Sequence, residues 1–346
     1  MSYGTRPEPS HKTQISPSFK LGLVPKRVKT DVGVYEADSE WAKVPNGWDF
    51  REVAGVATDA KARVYVFSRS EHPMMVFDED GEFVASWGEK VFTKAHNVRV
   101  SPDGFVFCVD LVDHTVRKFT PEGRLLMTLG TPGVPSDTGG DGREAKIKRS
   151  AGPFNGPTDV AFGPSGDLYV SDGYANARIH RFSAGGKLLS SWGSPGDGPG
   201  EFVLPHNVVI ADGTKLVVAE RDNNRIQVLD LKGRSVARWD DFAGPAGLSL
   251  APDGTLFVSE FGYDPAVKTK YPAPKHGKRI LPRVTMRSKE GELLGKIEGE
   301  DRCATGSFFA PHGVCVDKNG DLYVAEVPIT RKAAGPCHTL QKLTKL

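Results

Sequence analysis

The run PHNVVIADGTKLVVAERDNNRIQVLDLKGRSVARWD, residues 205–240, reads as four short strands separated by three turns. Apolar residues cluster or alternate in HNVVI, KLVVAE, RIQVL and SVARW, while ADGT, RDNN and LKGR are turn formers. The same phrase recurs along the chain. Second strands of this kind are RVYVFS (63–68), FVFCVD (105–110), DLYVSD (167–172), KLVVAE (215–220), TLFVSE (255–260) and DLYVAE (321–326). Third strands include HTVRKF, ARIHRF and NRIQVL, and fourth strands include EFVASWG, RLLMTLG, KLLSSWG and RSVARWD. A four-stranded unit cannot bury both faces alone, so six copies must stack around a channel. The pattern predicts an all-β fold, a six-bladed β-propeller.

The last copy ends in TLQKLTKL (339–346), its third strand, and lacks a fourth. The segment VGVYEADSEWAKVP (32–45) has strand character and is expected to pair with that C-terminal blade. Such closure removes two exposed sheet edges. Residues 1–20 are expected to be a flexible segment and 21–346 a single propeller domain. The largest insertions fall at 131–155, 262–285 and 298–309, and the first two are expected to cap one face or the rim.

Composition narrows the function classes. The 39 Gly and 25 Pro among 346 residues favour turns over long helices. A net charge of +2 gives no bulk electrostatic case for nucleic acid or anionic membrane. No apolar run approaches the roughly 20 residues of a membrane helix. The start, MSYGTRPEPSHKTQ, lacks the apolar core of a secretory signal, so a cytoplasmic protein is expected. The four cysteines fit that expectation. Cys108 and Cys315 fall within strands, and no CxxC spacing suggests a cysteine metal site.

Histidine follows a register. Fourteen residues before the polar end of each second strand stand Ala54, His96, Thr158, His206, Ala246 and His312. Histidine occupies copies two, four and six, and small residues occupy the others. Alternate blades of a six-fold ring differ by about 120°, so the three imidazoles can converge on the axis. A lone histidine at a strand start usually just hydrogen-bonds within the core. Three in one register, alternating with small residues, point instead to a three-histidine metal site with an open fourth position. Zinc is the expected ion, although other divalent transition metals accept imidazole. Three further residues stand near the ends of second strands: Arg69, Arg221 and Tyr174.

The runs YVSDGYANARIHRFS, FVLPHNVVI with VVAERDNNRIQVL, and FFAPHGVCVDKNGDLYVAE resemble the peptidyl-α-hydroxyglycine α-amidating lyase family of NHL-repeat propellers. The resemblance covers most of residues 50–346. It implies a channel zinc held by His96, His206 and His312. It further implies Tyr174 as the residue acting with the metal in proton abstraction, and Arg69 and Arg221 lining the substrate site. The implied reaction cleaves the C–N bond of an N-acyl hemiaminal, or α-hydroxylated amide, to an amide and an aldehyde acid. The chemistry suits the residues: arginines bind carboxylates bidentately, and a tyrosine beside a dication and arginines ionises more readily. In the animal enzymes an Asp follows the third histidine and helps hold a structural calcium; here Gly313 argues against that ion. Ala175 stands where those enzymes carry a disulfide cysteine after the tyrosine.

The expected ligand is therefore a small molecule bearing a carboxylate, acted on by a monomer or small homo-oligomer. Two other readings compete. A non-catalytic NHL scaffold would bind protein or RNA through a broad basic or aromatic face. A metal-dependent hydrolase or lactonase on the same fold would give different products. The acidic residues Asp110, Asp172, Glu220, Glu260 and Glu326 are read as repeat-building hydrogen-bond acceptors, not catalysts.

Overall fold

The computed structural model describes residues 26–140, 147–267, 272–275 and 277–346. The expected flexible segment 1–20 lies outside the described residues, as do parts of the insertions at 131–155 and 262–285. Among the described residues the regular elements are strands. β1 (Lys26–Thr30) and β2 (Gly33–Asp38) form a leading hairpin. Blade 1 comprises β3 (Val53–Thr58), β4 (Val64–Ser68), β5 (Met74–Phe77) and β6 (Phe83–Trp87). Blade 2 comprises β7 (Ala95–Val100), β8 (Val106–Asp110), β9 (Thr115–Phe119) and β10 (Leu125–Leu129). Blade 3 comprises β11 (Pro157–Phe162), β12 (Leu168–Asp172), β13 (Arg178–Phe182) and β14 (Leu188–Trp192). Blade 4 comprises β15 (Pro205–Ala211), β16 (Lys215–Glu220), β17 (Arg225–Asp230) and β18 (Ser235–Trp239). Blade 5 comprises β19 (Pro245–Leu250), β20 (Leu256–Glu260), β21 (Arg283–Arg287) and β22 (Leu293–Glu298). Blade 6 takes β23 (Pro311–Val316), β24 (Leu322–Glu326) and β25 (Leu340–Lys345) from the C-terminus.

The ring closes as the sequence predicts. β2 lies antiparallel to β25, with Tyr35 opposite Lys345 and Asp38 opposite Lys342. The sheet runs β1-β2-β25-β24-β23, one strand wider than expected because β1 adds itself outside β2.

Burial follows the blade junctions. Seven apolar clusters among the described residues each join two neighbouring blades. Val98, Cys108 and Phe119 meet Tyr65 and Phe67 between blades 2 and 1, and Val209 and Val217 meet Leu248 and Val258 between blades 4 and 5. Each fully buried Val, Leu or Phe contributes about 1.5–3 kcal/mol of transfer free energy, so the stacked faces carry the fold. The recurring tryptophans lock the outer edge. A Cβ on Gly233, at φ +83°, would stand 2.4 Å from Trp192 of the preceding blade. That hairpin turn therefore requires glycine for both backbone and space.

The cysteines divide into two kinds. Cys108 and Cys315 are buried thiols in strands, as expected. Cys303 and Cys337 form a disulfide that the sequence reading did not foresee. Such bonds persist in oxidising compartments, so the cysteines lend no support to a cytoplasmic location.

Candidate active site

One backbone device sets the site. In every inner strand the ladder to the second strand slips by one residue just after its first pair. The slips fall at Ala54, His96, Thr158, His206, Ala246 and His312. A bulge leaves its residue out of the ladder and re-aims the side chain. Three bulges carry histidine. The other three supply carbonyls: Nδ1 of His96 meets Thr158 O at 2.7 Å, Nδ1 of His206 meets Ala246 O at 2.8 Å, and Nδ1 of His312 meets Ala54 O at 2.7 Å. Each histidine thus donates to the next blade. This explains the alternation seen in the sequence, because the small residue opens the way to its own carbonyl. The bond fixes the tautomer and makes Nε2 the coordinating atom, the outer-shell arrangement of metal-binding histidines. All three side chains are buried, and one ring nitrogen from each lies within 4.8 Å of the others. Three neutral nitrogens converging in this way fit a divalent transition metal.

The second strands end on the same rim. β15 and β16 are antiparallel with Pro205 opposite Glu220, so the start of one lies beside the end of the other. Tyr174, just past β12, places its hydroxyl 3.3 Å from His96 Nε2 and 3.4 Å from His206 Nε2. Arg221, just past β16, donates from Nη1 to that hydroxyl at 3.2 Å and from Nε to Asp222 at 2.8 Å. Arg69, just past β4, donates to Ala95 O at 3.1 Å, to Glu52 at 2.9 Å and to Thr330 Oγ1 at 2.8 Å. The six residues singled out in the sequence therefore share one end of the channel. The two arginines are each paired with a carboxylate.

The NHL repeat family is matched over residues 154–182 and 310–328. A Homo sapiens protein named NHL repeat-containing protein 3 is 28% identical over 247 residues, 66% of this chain and 67% of that protein. The Mus musculus peptidyl-glycine alpha-amidating monooxygenase is 31% identical over 314 residues, 80% of this chain and 29% of that protein. The Drosophila melanogaster peptidyl-alpha-hydroxyglycine alpha-amidating lyase 1 is 30% identical over 272 residues, 71% of this chain and 45% of that protein. The chain is an NHL-repeat propeller related to the amidating lyases. The propeller spans under a third of the mouse relative's length and under half of the fly relative's. Among solved structures, a streptogramin B lyase superposes with a TM-score of 0.57 over 90% of this chain and 98% of that one. At 15% identity that likeness shows the fold alone.

The acidic strand ends act as the sequence reading has them. Asp110 accepts from the backbone of Thr93 and Lys94, Glu220 from Val203, and Glu326 from Phe309 and Ala310. Each of these three carboxylates holds the approach to one histidine. A residue the sequence reading missed is Glu52, which is buried and ties Arg69 to Thr330 across the closure of the ring. Its only sequence signal is a carboxylate inside the apolar run EVAGVA (52–57).

Burial, followed by the neighbouring His206 and His312, holds the His96 imidazole well below its usual value of 6.5. The unfolded chain binds that proton below about 6.5 and the folded chain does not. The contribution to stability is thus present above about pH 6.5 and lost as pH falls below it. Glu326 works in the opposite sense, since burial raises its carboxyl to about 7. The readout is therefore a difference. Between pH 7 and 5 the metal-free propeller should lose more melting temperature than its His96→Gln variant. Parallel curves would contradict a neutral His96.

Proposed function

We propose that the propeller is a metal-dependent lyase, with zinc as the expected ion. It cleaves the C–N bond of a small N-acyl hemiaminal bearing a carboxylate, giving an amide and an aldehyde acid. The observation that carries this reading is the placement of the Tyr174 hydroxyl. It stands against Nε2 of two histidines and receives a hydrogen bond from Arg221. A divalent ion on His96, His206 and His312 would supply Lewis acidity toward the substrate hydroxyl.

The chain's own groups do the rest. Tyr174 Oη, as phenolate, takes the hydroxyl proton. The Arg221 guanidinium stabilises negative charge on that oxygen. As the C–O bond becomes a carbonyl, the C–N bond breaks and its electron pair passes to nitrogen. Tyr174 then returns the proton to nitrogen, so the amide leaves neutral and no water is consumed. Arg69, held in place by Glu52 and Thr330, offers its charge to the substrate carboxylate.

Product analysis tests the reading. With N-benzoyl-α-hydroxyglycine, benzamide and glyoxylate should form faster than in a protein-free blank. Benzoate in place of benzamide would make the protein a hydrolase, and no product above the blank would remove the lyase reading.

A further inference from the structure

The channel has a second mouth. The histidines stand near the starts of the inner strands β7, β15 and β23. At the other end, a cavity of about 430 Å³ opens among the last residues of the inner strands. Thr58, Val100, Phe162, Ile210 and Leu250 line it, one from each of five blades. All five are partly exposed, and four are apolar. Val160 and Val208 continue the wall inward. The mouth is thus an aliphatic and aromatic funnel of a volume that suits a small ligand.

Arg99 forms its floor. It is the cation of the lining, and the other charged lining residue, Asp59, is held by Arg63 at 2.7 Å. Arg99 bonds Asp159 through Nε at 3.0 Å and Nη2 at 2.7 Å, and Nη2 also reaches Asn207 Oδ1 and Leu248 O. Among the described residues no hydrogen bond engages Nη1. The Arg99 side chain keeps 16% exposure, whereas that of Asp159 has none. Two N–H groups are therefore left to the cavity. The wall hydroxyls are turned elsewhere: Ser249 Oγ accepts from Val316 N at 3.0 Å, and Ser101 Oγ donates to Asp103. A ligand that fits brings a negative head for Nη1 and an apolar tail for the funnel. A carboxylate accepts charge-assisted bonds from a guanidinium. Asp159 already offsets the charge of Arg99, so a second negative charge on the ligand would find no partner.

We propose that this mouth is a second ligand site, separate from the histidine centre, which binds a small aliphatic monocarboxylic acid. The carboxylate sits at Arg99 Nη1, and the tail runs outward along Val100, Ile210 and Leu250. The site does not rest on the lyase reading, since no residue of the histidine rim belongs to it.

Calorimetry on the full chain with 4-methylpentanoate, its amide and acetate tests this. The acid should bind about tenfold tighter than the amide, the share of one charge-assisted hydrogen bond over a neutral one. Acetate should bind more weakly than 4-methylpentanoate, by about fourfold for each buried methylene it lacks. His206→Ala should leave the acid's affinity unchanged, which separates this mouth from the histidine centre. Ile210→Glu puts a carboxylate into the funnel wall and leaves the Arg99 bonds intact, so it should abolish binding of the acid. The paired change Arg99→Gln and Asp159→Asn exchanges the ion pair for a neutral one and should bring acid and amide to equal affinity. Circular dichroism checks the fold of each variant, and Ile210→Glu keeps the test decisive if the paired variant does not fold. Equal affinity of acid and amide in the wild type, binding of neither, acetate as tight as 4-methylpentanoate, loss of binding in His206→Ala, or full binding in Ile210→Glu would overturn the proposal.

Discussion

Exchanging Tyr174 for phenylalanine should lower kcat on an N-acyl-α-hydroxyglycine on the order of 10²–10⁴-fold, the usual share of a general acid–base group. The change removes one oxygen and keeps the ring. That ring stands edge-on to His96 at 5.3 Å and to His206 at 5.9 Å, and Gly156 lies directly behind its Cβ. Packing should therefore survive, and so should the tautomer-fixing bonds of the histidines, which run to carbonyls on other blades. Metal content should stay at the wild-type level and KM should move little, because Tyr174 is assigned to the proton and not to the carboxylate. A pH–rate profile should lose one limb. An unchanged kcat in a folded, metal-loaded variant would remove Tyr174 from the chemistry.

The second large effect is on stability. Below the histidines, Arg99 projects from β7 into the channel and joins four blades. It donates to both oxygens of Asp159 at 3.0 and 2.7 Å, to Asn207 Oδ1 at 2.7 Å and to Leu248 O at 3.0 Å. Asp159 also accepts from Asn97 at 2.6 Å and from the backbone of Val208 at 3.1 Å, and its side chain has no exposure. Arg99→Met would leave a fully buried carboxylate without its cation. Removing one partner of a buried pair costs about 3–5 kcal/mol. Denaturant titration should show a loss of that size, and Asp159→Asn in the same background should recover part of it. A loss below about 1 kcal/mol would place the pair among exposed ion pairs in its effect. The guanidinium also gives the inward-facing oxygens of three blades a positive partner at the axis. This is a physical reason, beyond Gly313, for the expectation against a structural calcium.

The repeat was legible because the blade is a local pattern. Four alternating runs and their turns lie within about 36 residues, and strand boundaries such as Lys215–Glu220 follow from residue type alone. The histidine register was legible for the same reason, since each copy restates it. The meaning of the small residues between them was not, because a bulge is a feature of backbone pairing. Whether Arg69, Arg221 and Tyr174 share the histidines' rim follows from antiparallel pairing, once Pro205 is known to face Glu220. Contacts that join distant copies left no trace in the sequence. Glu52 with Thr330, Arg99 with Asp159, and Cys303 with Cys337 depend on how blades and loops meet. β1 escaped notice because KRVKT is charged and half-exposed, so no apolar alternation marks it.

Elemental analysis of the wild type and of His206→Ala, both purified without chelator, bears on every step above. The wild type should carry about one transition-metal ion per chain. The variant should carry none while keeping the wild-type circular dichroism. A folded wild type without stoichiometric metal, or equal metal in the two proteins, would contradict a metal held by His96, His206 and His312.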